Sequence, residues 1–204
     1  MINRSIDTPD ADRWNTNIQY HGLLVDAVAG SDTVLDVGCG EGMLSRRLRQ
    51  HIPHVTGIDL HEPSITLART QPPADITYIH ADFLTHPFTP ESFDGIVSVA
   101  TLHHMDPTAA LTRMAELLRP GGTLALTGLA KPNWPADLPR ELAAGIAYNW
   151  YRFTKPRWEH PSPIVWPPPH TYTEIRTLAH SLLPAATYRR HLYWRYSLTW
   201  TKPQ

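Results

Sequence analysis

The chain has 204 residues, of which 42 % are hydrophobic and 18 % charged. That suits one compact domain, or a domain with an inserted cap, and excludes a disordered tail or two full-sized domains. A single cysteine, Cys39, excludes an internal disulfide framework and any cysteine-rich zinc module. No apolar run reaches the roughly 18 residues of a membrane span, and the N-terminal stretch MINRSIDTPDADRW has charges where a secretory signal needs an apolar run. A cytoplasmic protein without membrane association is expected. The net charge of -1 conceals an asymmetry: residues 1–130 carry 8 basic against 15 acidic side chains, and residues 131–204 carry 10 against 4. A basic second part would suit an acidic substrate or nucleic acid. Its charges are scattered among eleven prolines, however, and the same stretch holds six of the seven tryptophans.

In chain order, Trp14, Ile18, His21, Val25 and Val28 recur at helical spacing, predicting an amphipathic N-terminal helix within residues 12–29. Four β-type runs follow: TVLDV (33–37), HVTGIDL (54–60), ITYIHA (76–81) and FDGIVSVA (93–100). Helices separate the first three, the second opening at Glu62-Pro63. Another begins after Asp106-Pro107, carries Leu111, Met114 and Leu118 on one stripe, and meets Arg119-Pro120-Gly121-Gly122 as its stop before the strand GTLALTG (122–128). This alternation predicts an α/β core over residues 30–130 with a parallel sheet covered on both faces. Residues 131–171 break the rhythm. They hold a helix with Leu138, Leu142, Ile146, Trp150 and Phe153 near 3.6 spacing, then a proline-rich aromatic loop. Thr171 and Glu174 can form a capping box for a helix running to about Leu183, and the alternating tail TYRRHLYWRYSLTWTK predicts a pair of strands within residues 172–204.

The strongest chemical signal is VLDVGCGEG at 34–42. A strand ending in Asp36 and running into Gly38-x-Gly40-x-Gly42 brings bare backbone close to a ligand, and the helix N-terminus that follows favours a negative group there. Asp59 stands 21 positions after Gly38, near the offset at which an acid meets ribose hydroxyls in Rossmann-type sites, and Asp82 ends the third strand. Three acids at the carboxyl ends of three successive strands would form one wall of the crevice where open α/β sheets bind ligands. The dinucleotide fingerprint would need glycine at the position of Met43 and has no use for Asp36. A ligand carrying an ammonium, a carboxylate and an adenosine uses every feature, which describes S-adenosyl-L-methionine.

With GIDL, ADF, FDGIVSVATLHHM and LLRPGGTLAL following in order, the chain resembles the class I S-adenosylmethionine-dependent methyltransferases, especially their small-molecule branch. The resemblance covers roughly residues 14–130 and the terminal strands, not the 131–171 insert. It implies a Rossmann-like, doubly wound seven-stranded sheet of order 3-2-1-4-5-7-6 with strand 7 antiparallel. By position it implies that Asp36, Gly38, Cys39 and Gly40 border the methionine part of the cofactor, and that Asp59 takes the ribose hydroxyls with Leu60 against the adenine. Asp82 and Phe83 would read the adenine edge, and Ala100 and Leu102 would border the methyl end. Methyltransferases acting on base amines often carry Asn/Asp-Pro-Pro-aromatic where this chain has Ala100-Thr101-Leu102-His103-His104, so that base-amine class is disfavoured, other nucleic-acid chemistry staying open. His103 and His104 stand where the acceptor would approach, and either can act as general base or anchor, or simply pack. No metal is demanded.

The acceptor site is expected among Trp14, Tyr20 and His21 of the N-terminal helix and Trp134, Tyr148, Trp150, Trp158, His160 and Trp166 of the insert, with Trp14, Tyr20, His21, Trp150 and Trp166 as the principal contacts. An aromatic lid suits a planar or apolar small-molecule acceptor and keeps water out, although the same rings could form a satellite core or a dimer contact. The expected activity is in-line methyl transfer by a monomer or homodimer. An RNA or protein methyltransferase, or a non-catalytic S-adenosylmethionine-binding module, remain open alternatives.

Overall fold

A computed structural model describes residues 2–3, 8–154, 157–159, 162–163 and 165–204. The strands of the main sheet are β1 (Thr33–Val37), β2 (His54–Asp59), β3 (Thr77–His80), β4 (Phe93–Val99), β5 (Leu118–Gly128), β6 (Thr187–Arg190) and β7 (Tyr196–Thr201). They form one sheet of order 3-2-1-4-5-7-6 in which only β7 runs against the rest. The helices are α1 (His21–Ala27), α2 (Met43–Arg49), α3 (Glu62–Thr70), α4 (Pro107–Leu117), α5 (Leu138–Thr154) and α6 (Tyr172–Leu182). Both faces of the sheet are buried, so alternate residues of each strand enter different cores. Leu35, Ile58, Ile96 and Leu124 pack with Leu111 of α4 and Ile175 of α6, while Val34, Val55, Val97 and Ala125 pack with Leu24, Leu48 and Ile65 of α1 to α3. No helix among the described residues is long and apolar enough to cross a membrane.

Local signals set the helix starts. Asp106 accepts from the Ala109 N–H ahead of Pro107, and Thr171 with Glu174 forms the expected capping box on α6. At the other end of α4 the chain passes at Leu118 straight into β5, with Phe93 opposite Leu118 and a register shift before Gly95 meets Thr123. Arg119-Pro120-Gly121-Gly122 is thus an irregularity inside a longer strand, whereas the sequence placed the strand start at 122.

The single N-terminal helix expected over 12–29 is replaced by two 3-10 turns, Asp10–Asp12 and Ile18–Tyr20, and the short α1. Asn15 is the physical reason. Its side-chain oxygen accepts from the N–H groups of Asn17 and Ile18 at 2.8 and 2.9 Å, which starts a new turn there. The Trp14 carbonyl is drawn off to the Trp158 N–H at 2.9 Å, and the Asn15 amide donates to the Trp158 carbonyl. A partner more than 140 residues away overrides the helical periodicity.

Helix α5 forms where expected, but the stripe of Leu138, Leu142, Ile146 and Trp150 faces outward, with Trp150 71 % exposed. The helix is held by a different face: Ala144 is buried, Tyr148 lies against Trp194, and the Tyr151 ring stacks on Trp14 at 4.7 Å. Between β6 and β7 the turn is made by Tyr193 and Trp194, both in the left-handed region (φ 59° and 57°), and the Arg195 guanidinium donates to both of their carbonyls.

Candidate active site

The parallel strands deliver β1 to β4 to one edge of the sheet, and a cavity of about 690 Å³ opens there. That size lies within the roughly 300–1,000 Å³ of small-molecule sites. Asp36, Gly38, Cys39, Gly40, Asp59, Leu60, Asp82, Phe83, Ala100, His103 and His104 all line it, as do His21 from α1 and Trp166 from the insert. These thirteen expected residues, spread over some 145 positions of chain, converge because each follows or closes an element that ends at this edge.

The turn after β1 is bound to β2. Gly38 and Cys39 donate N–H groups to the Ile58 carbonyl at 2.8 and 3.1 Å, and Gly40 donates to Asp59 Oδ2 at 2.8 Å. Asp59 Oδ1 accepts from the His61 N–H at 2.8 Å, so both carboxylate oxygens are fixed by backbone and their remaining lone pairs face the cavity rim. Asp82 is held likewise through Leu84 N–H to Oδ1 at 2.8 Å. Asp36 lies deeper. It is almost fully buried, accepts the Ser45 hydroxyl at 2.6 Å, and is pushed up to about 7 by burial, with Asp59 adding to the rise and the Ser45 hydrogen bond opposing it. Glu41, the acid within the glycine-rich turn, points away from the cavity to Arg13 and Arg46 at 3.2 and 2.9 Å and clamps the N-terminal segment onto the turn. The Cys39 thiol is buried and pushed up by that burial, which keeps it a packed thiol and not a nucleophile.

Past β4, Ala100 takes a positive φ of 52° and a 3-10 turn carries Leu102 to His104. This turn splits its residues. His103 and His104 line the cavity with their rings 4.2 Å apart, but Leu102 is turned into the core beside α4 and α6 and does not border the cavity. Leu102 was expected at the methyl end; with about three residues per turn, it points to a different side from its two neighbours. His103 is pushed down to about 4 by burial, by His104 and by Arg195, so it is neutral at neutral pH, and its Nδ1 is buried without a hydrogen-bond partner.

Three residues expected at the acceptor site lie outside the cavity lining. Trp14 does not line the cavity, because it stacks on Tyr151 and donates to Gln19. Tyr20 is turned to the Leu192 carbonyl at 2.6 Å, and Trp150 lies on the outer face of α5. Of the other aromatic residues of the insert, Tyr148 and Trp158 reach the cavity, Trp134 is exposed, and His160 lies outside the described residues. Trp158 is buried under the Arg13 guanidinium, 4.6 Å from its ring. Sequence reasoning missed Thr16, Asn17, Thr101 and Arg195, all of which line the cavity. No motif marks them; the one hint is that Arg195 stands between aromatic residues, after Tyr193-Trp194 and before Tyr196.

The family model for the methyltransferase domain matches residues 35–126. The chain is 43 % identical over 194 residues to an uncharacterized methyltransferase of Mycobacterium tuberculosis, covering 93 % of this chain and 98 % of that one. It is 34 % identical to a ubiquinone biosynthesis O-methyltransferase of Coxiella burnetii over 57 % of this chain and 51 % of that protein. Among solved structures, the N-methyltransferase NodS of Bradyrhizobium japonicum, in complex with S-adenosylhomocysteine, matches 98 % of this chain and 94 % of its own with a TM-score of 0.63 at 19 % identity, a likeness of fold. With the sheet order, the acid-lined turn and a near full-length relative in agreement, the chain belongs to the class I methyltransferase family.

Proposed function

We propose that the protein transfers a methyl group from S-adenosylmethionine to a small-molecule acceptor by in-line displacement. The observation that carries this reading is one cavity lined by the glycine turn together with buried Asp36 on one side of it and Asp59 on the other. That donor set suits the cofactor. Asp36 would hold its ammonium, the turn would border its carboxylate, and Asp59 would take its ribose hydroxyls, with Leu60, Asp82 and Phe83 to receive the adenine. When bound, S-adenosylmethionine supplies a methyl group already activated on sulfur, so the protein has little acid or base work to do. Holding the acceptor in line supplies most of the effect. Ala100, His103 and His104 would border the methyl end, where neutral His103 can accept a hydrogen bond or a proton from the acceptor. Tyr148, Trp158 and Trp166 exclude water above them. O-methyltransferases among the relatives support a small acceptor.

Calorimetry with S-adenosylmethionine, S-adenosylhomocysteine and NAD tests the reading. Binding of both sulfur ligands and not NAD is expected; NAD binding alone would refute it.

Asp36 adds a pH signature. Between 3.8 and about 7 the folded chain keeps a proton on Asp36 that the unfolded chain releases, so this group makes stability fall as pH rises through that window. Pairing with an ammonium needs the ionised carboxylate. S-adenosylhomocysteine affinity should therefore rise about tenfold from pH 5.5 to 7 and level off above. Asp36→Asn should bind more weakly and lose that slope; a slope that survives the substitution assigns it to another group.

A further inference from the structure

Arg195 immediately precedes β7, and the residue lines the cavity while only 7 % exposed. All five of its N–H groups have partners. Nη1 donates to the Tyr193 and Trp194 carbonyls at 2.9 and 3.4 Å, Nη2 to Thr16 Oγ1 at 2.8 Å and Asn17 Oδ1 at 2.7 Å, and Nε to Asn17 Oδ1 at 2.9 Å. Every one of these acceptors is neutral, and no carboxylate among the described residues pairs with the guanidinium. Burial holds Arg195 down to about 10, which still leaves it charged at neutral pH. A buried cation without a counter-charge is costly, and such groups are paired as a rule.

The arrangement also sets the polarity of its neighbours. Arg195 can only donate, so the Asn17 atom it touches must be the amide oxygen, and the Asn17 NH2 remains a donor. Thr16 accepts through its hydroxyl oxygen, so its O–H is likewise left to donate. Both residues line the cavity. One wall therefore presents two neutral donors backed by a positive charge that no carboxylate among the described residues pairs with. β7 lies three places along the sheet from β1, about 14 Å at the usual strand spacing, which puts this wall on the side of His103 and Tyr148, away from Asp59 and Asp82.

We propose that the methyl acceptor is an organic anion whose negative group docks against the wall of Thr16, Asn17 and Arg195. This deepens the methyltransferase reading and rests on it. The anion supplies the missing counter-charge, and Arg195 selects the acceptor by charge as the surrounding aromatic rings select it by shape.

Benzoate and its neutral isostere benzamide probe the wall directly, titrated into the protein loaded with S-adenosylhomocysteine and into the free protein. Benzoate should bind at least tenfold more tightly than benzamide. Thr16→Val, which leaves the carbonyl contacts of Arg195 intact, should cut that preference several-fold. Arg195→Met should abolish it while changing S-adenosylhomocysteine affinity by less than twofold, and Arg195→Lys should retain most of it. Equal binding of acid and amide, or no binding of either at millimolar concentration, overturns the proposal. So does a tenfold loss of S-adenosylhomocysteine affinity in folded Arg195→Met, which would give the guanidinium to the cofactor's own carboxylate. Failure of S-adenosylhomocysteine to bind the wild-type protein is a separate result and strikes the methyltransferase reading itself.

Discussion

Gly38→Ala is expected to lose about 2–5 kcal/mol of stability and at least tenfold in S-adenosylhomocysteine affinity, the largest effect of any single methyl group in the cavity wall. Two independent costs combine there. Gly38 has a φ of 72°, which is unfavourable by roughly 1–2 kcal/mol for an L side chain. A Cβ at this position would lie 2.2 Å from the Thr101 side chain, and forcing a methyl group into packed space costs about 1–3 kcal/mol. The strain cannot be relieved quietly. The Gly38 N–H is bound to the Ile58 carbonyl, and the Gly40 N–H two residues on holds Asp59, so moving the turn misplaces the carboxylate. Gly121 supplies the control: it has a similar φ of 80°, but a Cβ there meets nothing within 4 Å. Gly121→Ala should cost only about 1 kcal/mol, as backbone strain alone does. Urea unfolding of both variants separates the two terms, and an equal loss in the pair would show that close approach to Thr101 does not matter.

Asp59→Ala is expected to weaken S-adenosylhomocysteine binding by about 1–3 kcal/mol, the worth of charge-assisted hydrogen bonds to ribose hydroxyls. The carboxylate has a second task, since it also receives the Gly40 and His61 N–H groups. A loss of affinity could then come from a loosened turn as well as from the missing acceptor. An analogue of S-adenosylhomocysteine lacking both ribose hydroxyls separates these causes. If Asp59 holds the hydroxyls, the analogue binds wild type and variant with nearly equal affinity, because the partner is already gone. If the analogue suffers the same penalty as the parent ligand, Asp59 acts only by shaping the turn.

How far the site could be read in advance depended on the range of the forces involved. Asp36, Gly38 and Gly40 were legible because a strand-to-helix turn that brings backbone to a ligand needs glycines at fixed short spacing, and Asp59 and Asp82 because each closes a strand that the hydrophobic pattern already delimits. Leu102 packs into the core while His103 and His104 line the cavity, a division set within one short turn that no periodicity can register. The aromatic acceptor residues fared worst. Trp14, Tyr20 and Trp150 are large rings that gain by burial or stacking wherever a partner is offered, and their partners or exposure depend on how the insert lies on the N-terminal segment. Arg195 was invisible because its significance lies in what is missing around it, and the lack of a nearby carboxylate is a property of the folded arrangement.

Alternating buried strands and capped helices, punctuated by glycine and proline, dictate which segments become strands and helices and put the acidic turn at the end of β1, since each element is specified within about ten residues; the order of the seven strands was implied by the family resemblance and is what the fold shows. The lid is another matter. Asn15 interrupts the N-terminal helix in favour of Trp158, α5 turns its leucines outward so that Tyr148 and Tyr151 can find Trp194 and Trp14, and Arg195 gathers Thr16 and Asn17 from the opposite end of the chain. These choices are made by contacts between residues more than 40 positions apart, whose energies appear only once the sheet has brought them together.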